Sequence, residues 1–304
     1  MKRALVFPGQ ASQFVGMGQD IFDKHPSVQE MYSTAKDILG FDIANVTFNG
    51  PLEELTETVV TQPALFTTSA AFFSLLPKAY QFSMVAGHSL GEFSALYAAG
   101  VLSFEDALAI VKVRSEGMQA AGEAKAGTMA AILNMSREDV GKVCKHGSLR
   151  GIVQAANYNS PGQIVISGET EAVHYAMEIA KNLGARKVLA LNVSGAFHSP
   201  LMGPAKDDLA AIIGKTKFNK ADVPVIANVD ATPTSDPEKI KTNLIDQLEN
   251  PVLWEDTVIK MVTEGITEIT EVGPGRVLQG LAKRINRDLA TSGVASQEQV
   301  EALS

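Results

Sequence analysis

Apolar residues in this chain of 304 fall into short unbroken runs set between longer stretches of helical spacing. The first run, Ala4-Leu5-Val6-Phe7, stops at Pro8-Gly9, which predicts a buried strand. A polar loop over residues 10–19 follows, then helical patterns as far as residue 78. Met84-Val85-Ala86 is a second short run and predicts another buried strand. The compact, Ala-rich stretch 92–99 predicts a helix. Ser103-Phe104-Glu105-Asp106 predicts the start of a further helix, with Ser as N-cap and acids in the first turn. That helix is expected to end near Gln119, and the small residues 120–127 read as a hinge.

Beyond the hinge the pattern changes. Strands are expected over 128–133, 152–156, 163–166 and 187–191, and helices over 136–146 and 170–183. An Asn/Ser/Pro/Gly-rich loop, 157–162, joins the second and third strands. The order βαββαβ is that of a ferredoxin-like unit. Residues 125–192 are therefore expected to form a small subdomain inserted into a larger α/β subdomain of residues 1–124 and 193–304. Core strands are expected again over 224–228 and 267–271. A helix is expected over 276–289, with a polar tail beyond it that frays. The fold class is α/β, an α/β-hydrolase-like core with a parallel sheet.

Between the strand ending at Ala86 and the helix starting at Glu92 stands Gly87-His88-Ser89-Leu90-Gly91. This is G-x-S-x-G in strand–turn–helix context, the setting of a nucleophile elbow. The glycines allow a turn too tight for neighbouring Cβ atoms. The Ser89 hydroxyl is then exposed beside a helix N-terminus that offers free N–H groups to an oxyanion.

A serine hydroxyl needs a base, and the chain has five histidines. His88 adjoins the nucleophile and should point away from it. His25 precedes Pro26 in a loop, and His146 and His174 fall on helices of the small subdomain. His198 lies in the irregular stretch Gly195-Ala196-Phe197-His198-Ser199-Pro200, where the chain returns from the small subdomain and can line the cleft. No Asp or Glu stands out as a third member, so a Ser–His dyad is expected, with a backbone carbonyl holding the imidazole N–H. Ala107, Val111, Arg114 and Met118 are spaced four, three and four apart, which puts Arg114 on an apolar stripe. A buried guanidinium wants a partner, and a ligand carboxylate could supply one in bidentate fashion.

The composition narrows the classes. The net charge of −8 argues against non-specific binding to nucleic acid or an anionic membrane. The apolar run after Met1-Lys2-Arg3 is too short for a signal peptide, and no stretch has membrane length. The single cysteine, Cys144, permits no internal disulfide, so a cytoplasmic enzyme is expected. Cys144-Lys145-His146 has no second cluster, so no metal is expected. A Walker lysine motif is missing, and Gly16-Met17-Gly18 is too short for a dinucleotide fingerprint.

Several motifs in order resemble the malonyl-CoA:acyl carrier protein transacylase family of fatty acid synthesis. They are Phe7-Pro8-Gly9-Gln10, Thr61-Gln62-Pro63-Ala64, the elbow with Glu92, Arg114, Asn159-Ser160-Pro161-Gly162-Gln163, the stretch at His198, Gln247-Leu248, Pro251-Val252-Leu253-Trp254 and Gly273-Pro274-Gly275. The resemblance implies a malonyl ester on Ser89, His198 as base and the main-chain carbonyl of Gln247 as its orienter. It implies an oxyanion hole from the N–H groups of Gln10 and Leu90, and Arg114 as the site of the malonyl carboxylate. Phe197 sits where related acyltransferases with Phe take malonyl units, and Asn159 is expected to contact substrate. Position 11 is commonly Gly in the family and is Ala11 here. The substrates implied are malonyl-CoA and the phosphopantetheine thiol of an acyl carrier protein, with no bound cofactor and a monomeric chain.

Alternative readings are a discrete acyltransferase serving a polyketide synthase, a serine thioesterase and a non-catalytic carrier-binding module. An acidic carrier would need a local basic patch. Arg276, Lys283, Arg284 and Arg287 form one candidate; Lys181, Arg186 and Lys187 form the other.

Overall fold

The structure, a computed structural model, describes residues 2–303; Met1, part of the basic start noted above, lies outside them. Among the described residues, ten strands form two sheets. They are β1 (Arg3–Phe7), β2 (Met84–Gly87), β3 (Gly127–Leu133), β4 (Val153–Ser160) and β5 (Gln163–Glu169). The rest are β6 (Lys187–Ala190), β7 (Val225–Ile226), β8 (Pro233–Thr234), β9 (Glu268–Val272) and β10 (Ala290–Val294).

The six-stranded sheet has the order β10-β9-β1-β2-β7-β8, parallel throughout except for the antiparallel β7–β8 pair. Its central strands read as unbroken apolar runs because both faces are covered. Leu5, Phe7 and Val85 point into one core with the helices Thr58–Ser74 and Phe104–Ala124. Ala4, Val6, Met84 and Ala86 point into a second core with Trp254–Thr263 and Val277–Ile285. Fully buried side chains such as Phe66, Phe72 and Phe93 each contribute about 1.5–3 kcal/mol of apolar burial.

The four-stranded sheet, β4-β5-β3-β6, is antiparallel. Ala130, Ile132, Ile164 and Ile166 face its own helices, Arg137–Gly147 and Thr170–Asn182. Met129 and Val165, on the opposite face, join the large core. The large core therefore extends onto this face of the small sheet, and residues of both parts line the cleft. No helix among the described residues is long and apolar enough to cross a membrane.

Five expectations are corrected. The helix begun by Ser103, whose hydroxyl accepts from Asp106 N–H, does not stop near Gln119 but runs to Ala124. The small residues read as a hinge serve close packing instead: a Cβ on Gly122 would meet the Ser194 carbonyl oxygen at 2.3 Å. The loop expected over 157–162 is mostly strand. β4 continues to Ser160 through a bulged register, because Tyr158 N–H donates to the Val252 carbonyl and Val252 N–H donates to the Ala156 carbonyl, each at 2.9 Å. Finally, the helix expected over 276–289 ends at Ile285, and the tail does not fray. β10 pairs with β9 along five residues, and the helix Gln297–Glu301 follows.

Candidate active site

The chain leaves β2 and reverses at Ser89 into the helix Gly91–Ala98. Ser89 has φ +51°, a left-handed conformation that costs a non-glycine residue about 1–3 kcal/mol. Asn228, just past β7, holds it there. Its Oδ1 accepts from Ser89 N–H at 2.7 Å, and its Nδ2 donates to the Gly87 carbonyl at 2.7 Å. The flanking glycines are required by contact. A Cβ on Gly91 would lie 2.1 Å from the Phe7 carbonyl oxygen, and one on Gly87 would lie 1.9 Å from the Gly91 carbonyl carbon.

The turn delivers the Ser89 hydroxyl to His198, with Oγ 2.8 Å from Nε2. His198 Nδ1 donates to the main-chain carbonyl of Gln247 at 2.9 Å. A carbonyl only accepts, so this bond fixes the proton on Nδ1 and leaves Nε2 as an acceptor facing the hydroxyl. His198 also has a left-handed φ, +56°. Gln154 of β4 steadies it, its Nε2 donating to the carbonyls of His198 and Glu249, each at 2.8 Å. Burial, and next the Arg114 charge, push the His198 pKa down to about 3. The imidazole is therefore neutral at ordinary pH and can take a proton.

Arg114 is buried on the inner stripe of the long helix and does not snorkel to the surface. Nη1 donates to Gln62 Oε1 at 2.6 Å, and Nη2 donates to Gln247 Oε1 at 2.9 Å and Ser89 Oγ at 3.1 Å. Nε has no partner, and no carboxylate pairs with the guanidinium among the described residues. Burial lowers its pKa to about 10, so it stays cationic, with Glu92 opposing the shift.

A cleft of about 150 Å³ opens on the hydroxyl, lined by residues that include Gln10, His88, Met118, Phe197 and His198. That is room for about five waters, or a small acyl group. Gln10 lines it, and the backbone N–H groups of Gln10 and of Leu90, next to Ser89, have no hydrogen-bond partner among the described residues. Ala11 has φ +80°, the conformation for which glycine is suited. Asn159, expected to touch substrate, instead accepts from His88 Nε2 at 2.8 Å; Asn157 is the asparagine on the cleft wall. The bulge in β4 accounts for this, since it shifts the register between the two residues.

The basic groups of both candidate patches are exposed. Arg287 lies beyond the helix that was to carry it, while Arg284 donates to Gln163 Oε1 at 2.6 Å. Sequence reasoning missed Asn228, Gln154 and the buried Glu92. The one available signal was Glu92, a carboxylate inside a stretch otherwise apolar or small.

A hydroxyl at a strand–helix turn, held against a neutral imidazole and a buried guanidinium, defines an enzyme of acyl transfer. The pattern of the acyl transferase domain family matches residues 4–300, and the chain belongs to that family. The malonyl CoA-acyl carrier protein transacylase of Bacillus subtilis (strain 168) is 44% identical over 302 residues, covering 99% of this chain and 95% of that protein. Its counterpart in Escherichia coli (strain K12) is 43% identical over 293 residues, covering 96% and 95%. Among solved structures, an acyl carrier protein S-malonyltransferase from Vibrio cholerae superposes with a TM-score of 0.95 at 40% identity, covering 100% of both chains. A malonyl-transacylase in complex with its type II PKS acyl-carrier protein also gives a TM-score of 0.95, at 40% identity over 100% of this chain and 99% of that one.

Proposed function

We propose that this acyltransferase moves a malonyl group from malonyl-CoA to the phosphopantetheine thiol of an acyl carrier protein of fatty acid synthesis, through a malonyl ester on Ser89. The observation that carries the reading is the single hydroxyl shared by His198 Nε2 and Arg114 Nη2, at 2.8 and 3.1 Å. The first group is suited to removing a proton; the second is suited to holding a carboxylate one short acyl chain away.

In the first half-reaction His198 Nε2 takes the Ser89 proton as Oγ attacks the thioester carbonyl. The oxyanion is received by the N–H groups of Gln10 and Leu90, each worth roughly 3 kcal/mol of barrier. The C–S bond breaks, and His198 returns its proton to the CoA sulfur. In the second half the carrier thiol gives its proton to His198 and attacks the ester. Oγ leaves and recovers the proton. The Gln247 carbonyl keeps the imidazole in the required tautomer throughout. Arg114 receives the malonyl carboxylate, which completes the unpaired guanidinium, and Phe197 forms the apolar wall of the acyl pocket.

The order of the antiparallel sheet supports a ferredoxin-like unit. Its strands occupy residues 127–190, between β2 and β7 of the large sheet, which supports the subdomain limits 125–192. The parallel sheet with the elbow supports an α/β-hydrolase-like core.

Transfer is separated from hydrolysis by following radiolabelled malonyl-CoA with and without holo carrier protein. Label appearing on the carrier, with little free malonate, is expected; free malonate as the main product would make the enzyme a thioesterase. The likeness to the transacylase solved with a type II PKS carrier favours a second reading, service to a polyketide synthase. Competition between the two carrier types decides between them.

A further inference from the structure

Glu92 sits in the first turn of the helix Gly91–Ala98, beneath the nucleophile, and is only 1% exposed. None of the steps above uses it. Its Oε2 accepts from Asn228 N–H at 3.0 Å and from Gln247 Nε2 at 2.9 Å. An ionised carboxylate can only accept, so it draws the NH2 group of the Gln247 amide toward itself and leaves the amide oxygen for Arg114. Gln247 thereby links a buried anion to a buried cation that do not touch, while its main chain holds His198.

The surroundings leave Arg114 as the dominant partner. The helix Thr58–Ser74 and β2, both packed on the Glu92 helix, carry no ionisable side chain. Arg3 of β1 pairs with Glu268 instead. Arg114 is the one buried charged residue of the long helix. Asp230 adds a weaker repulsion, and His88 and His198, across Ser89, are both kept neutral by burial.

We propose that Glu92 is the resting counter-charge of Arg114, and that it takes up a proton from solvent when a substrate carboxylate binds the guanidinium in its place. This rests on the reading that Arg114 receives the malonyl carboxylate. Two carboxylates facing one buried cation cannot both stay ionised cheaply, and the one bonded directly to Arg114 keeps its charge. Burial already raises Glu92 to about 7, so little further change is needed for it to take a proton near neutrality. Its role is positioning: it sets the Gln247 amide and balances Arg114 without touching the reacting atoms.

The test mixes wild-type enzyme with malonyl-CoA in weakly buffered solution containing a pH indicator, with intact mass read in parallel. Ester formation alone releases no net proton, since the Ser89 proton leaves on the CoA thiol. Net uptake of up to about one proton per malonylated site is expected at pH 7.5, falling toward zero at pH 5, where Glu92 is already protonated. Glu92→Gln should lose the uptake. In wild type KM should rise by up to about tenfold per pH unit above 7 with kcat little changed, and in Glu92→Gln that slope should vanish. A purely structural role would not produce the slope. Malonylation at pH 7.5 without proton uptake would overturn the proposal, as would uptake that survives Glu92→Gln. Failure to malonylate at all would instead remove the functional reading beneath it.

Discussion

Arg114 Nη2 donates to Ser89 Oγ at 3.1 Å, so the cation and the nucleophile meet on one oxygen before any substrate arrives. The guanidinium keeps Nε free and has no carboxylate partner among the described residues. Arg114→Ala should therefore lower kcat/KM for malonyl-CoA by about 2–5 kcal/mol, the cost of removing one member of a buried charged pair. It should also narrow the preference for malonyl-CoA over acetyl-CoA. Steady-state kinetics with both thioesters checks this, and selectivity that survives unchanged would remove Arg114 from carboxylate recognition.

The depressed pKa of His198 gives a pH prediction. An ordinary histidine base loses activity as pH falls through about 6.5. Here burial and the Arg114 charge hold the ring neutral down to about 3. Protonation is the inactivating event, so lowering the pKa moves the acid limb of kcat/KM downward. The profile should stay flat through pH 6.5 and fall only well below it. An acid limb near 6.5 would mean that the free enzyme's base sits in a wetter, less cationic setting.

Gly91 touches the end of β1. A methyl group there would lie 2.1 Å from the Phe7 carbonyl oxygen and 2.9 Å from that of Pro8. Both are backbone atoms and cannot swing aside. Gly91→Ala should cost about 4 kcal/mol or more, in the range reserved for severe core clashes. Denaturant unfolding measures it, and a loss under about 1 kcal/mol would contradict the tight packing of the turn.

Ala11 carries the opposite kind of strain, a side chain where φ is +80°. Relieving it gains about 1–2 kcal/mol, while the looser unfolded chain of a glycine variant gives back about 0.4–1 kcal/mol. Ala11→Gly should therefore stabilise the protein by roughly 0.5–1 kcal/mol, seen as a higher midpoint in urea. A lower midpoint would show that the methyl group contributes packing that outweighs the strain.

The parts legible in the sequence were those whose physics is local and periodic. β1 and β2 appear as apolar runs because both faces are buried. Arg114 betrays itself by falling on a stripe of Ala107, Val111 and Met118. Ser89 is announced by the glycines its turn demands. Main-chain roles left no trace in residue type, which is why Gln10 and Gln247 entered only through the family resemblance. Tertiary pairing overrode composition at 157–160, where Asn and Ser suggested a loop but β4 continues alongside Val252. β10, Ala290 to Val294, has small residues and no alternation, and its partner β9 alone makes it a strand. Gln154 and Asn228 clamp His198 and Ser89, both at positive φ, from distant segments, which no window of sequence could reveal.

The central claim is that Ser89 carries the acyl group. Brief mixing with malonyl-CoA, followed by intact-protein mass spectrometry and peptide mapping, reads it directly. One malonyl adduct per chain, mapped to Ser89 and lost in Ser89→Ala, is the predicted result. A malonyl adduct that persists in Ser89→Ala, or full transfer to carrier protein by that variant, would contradict the account.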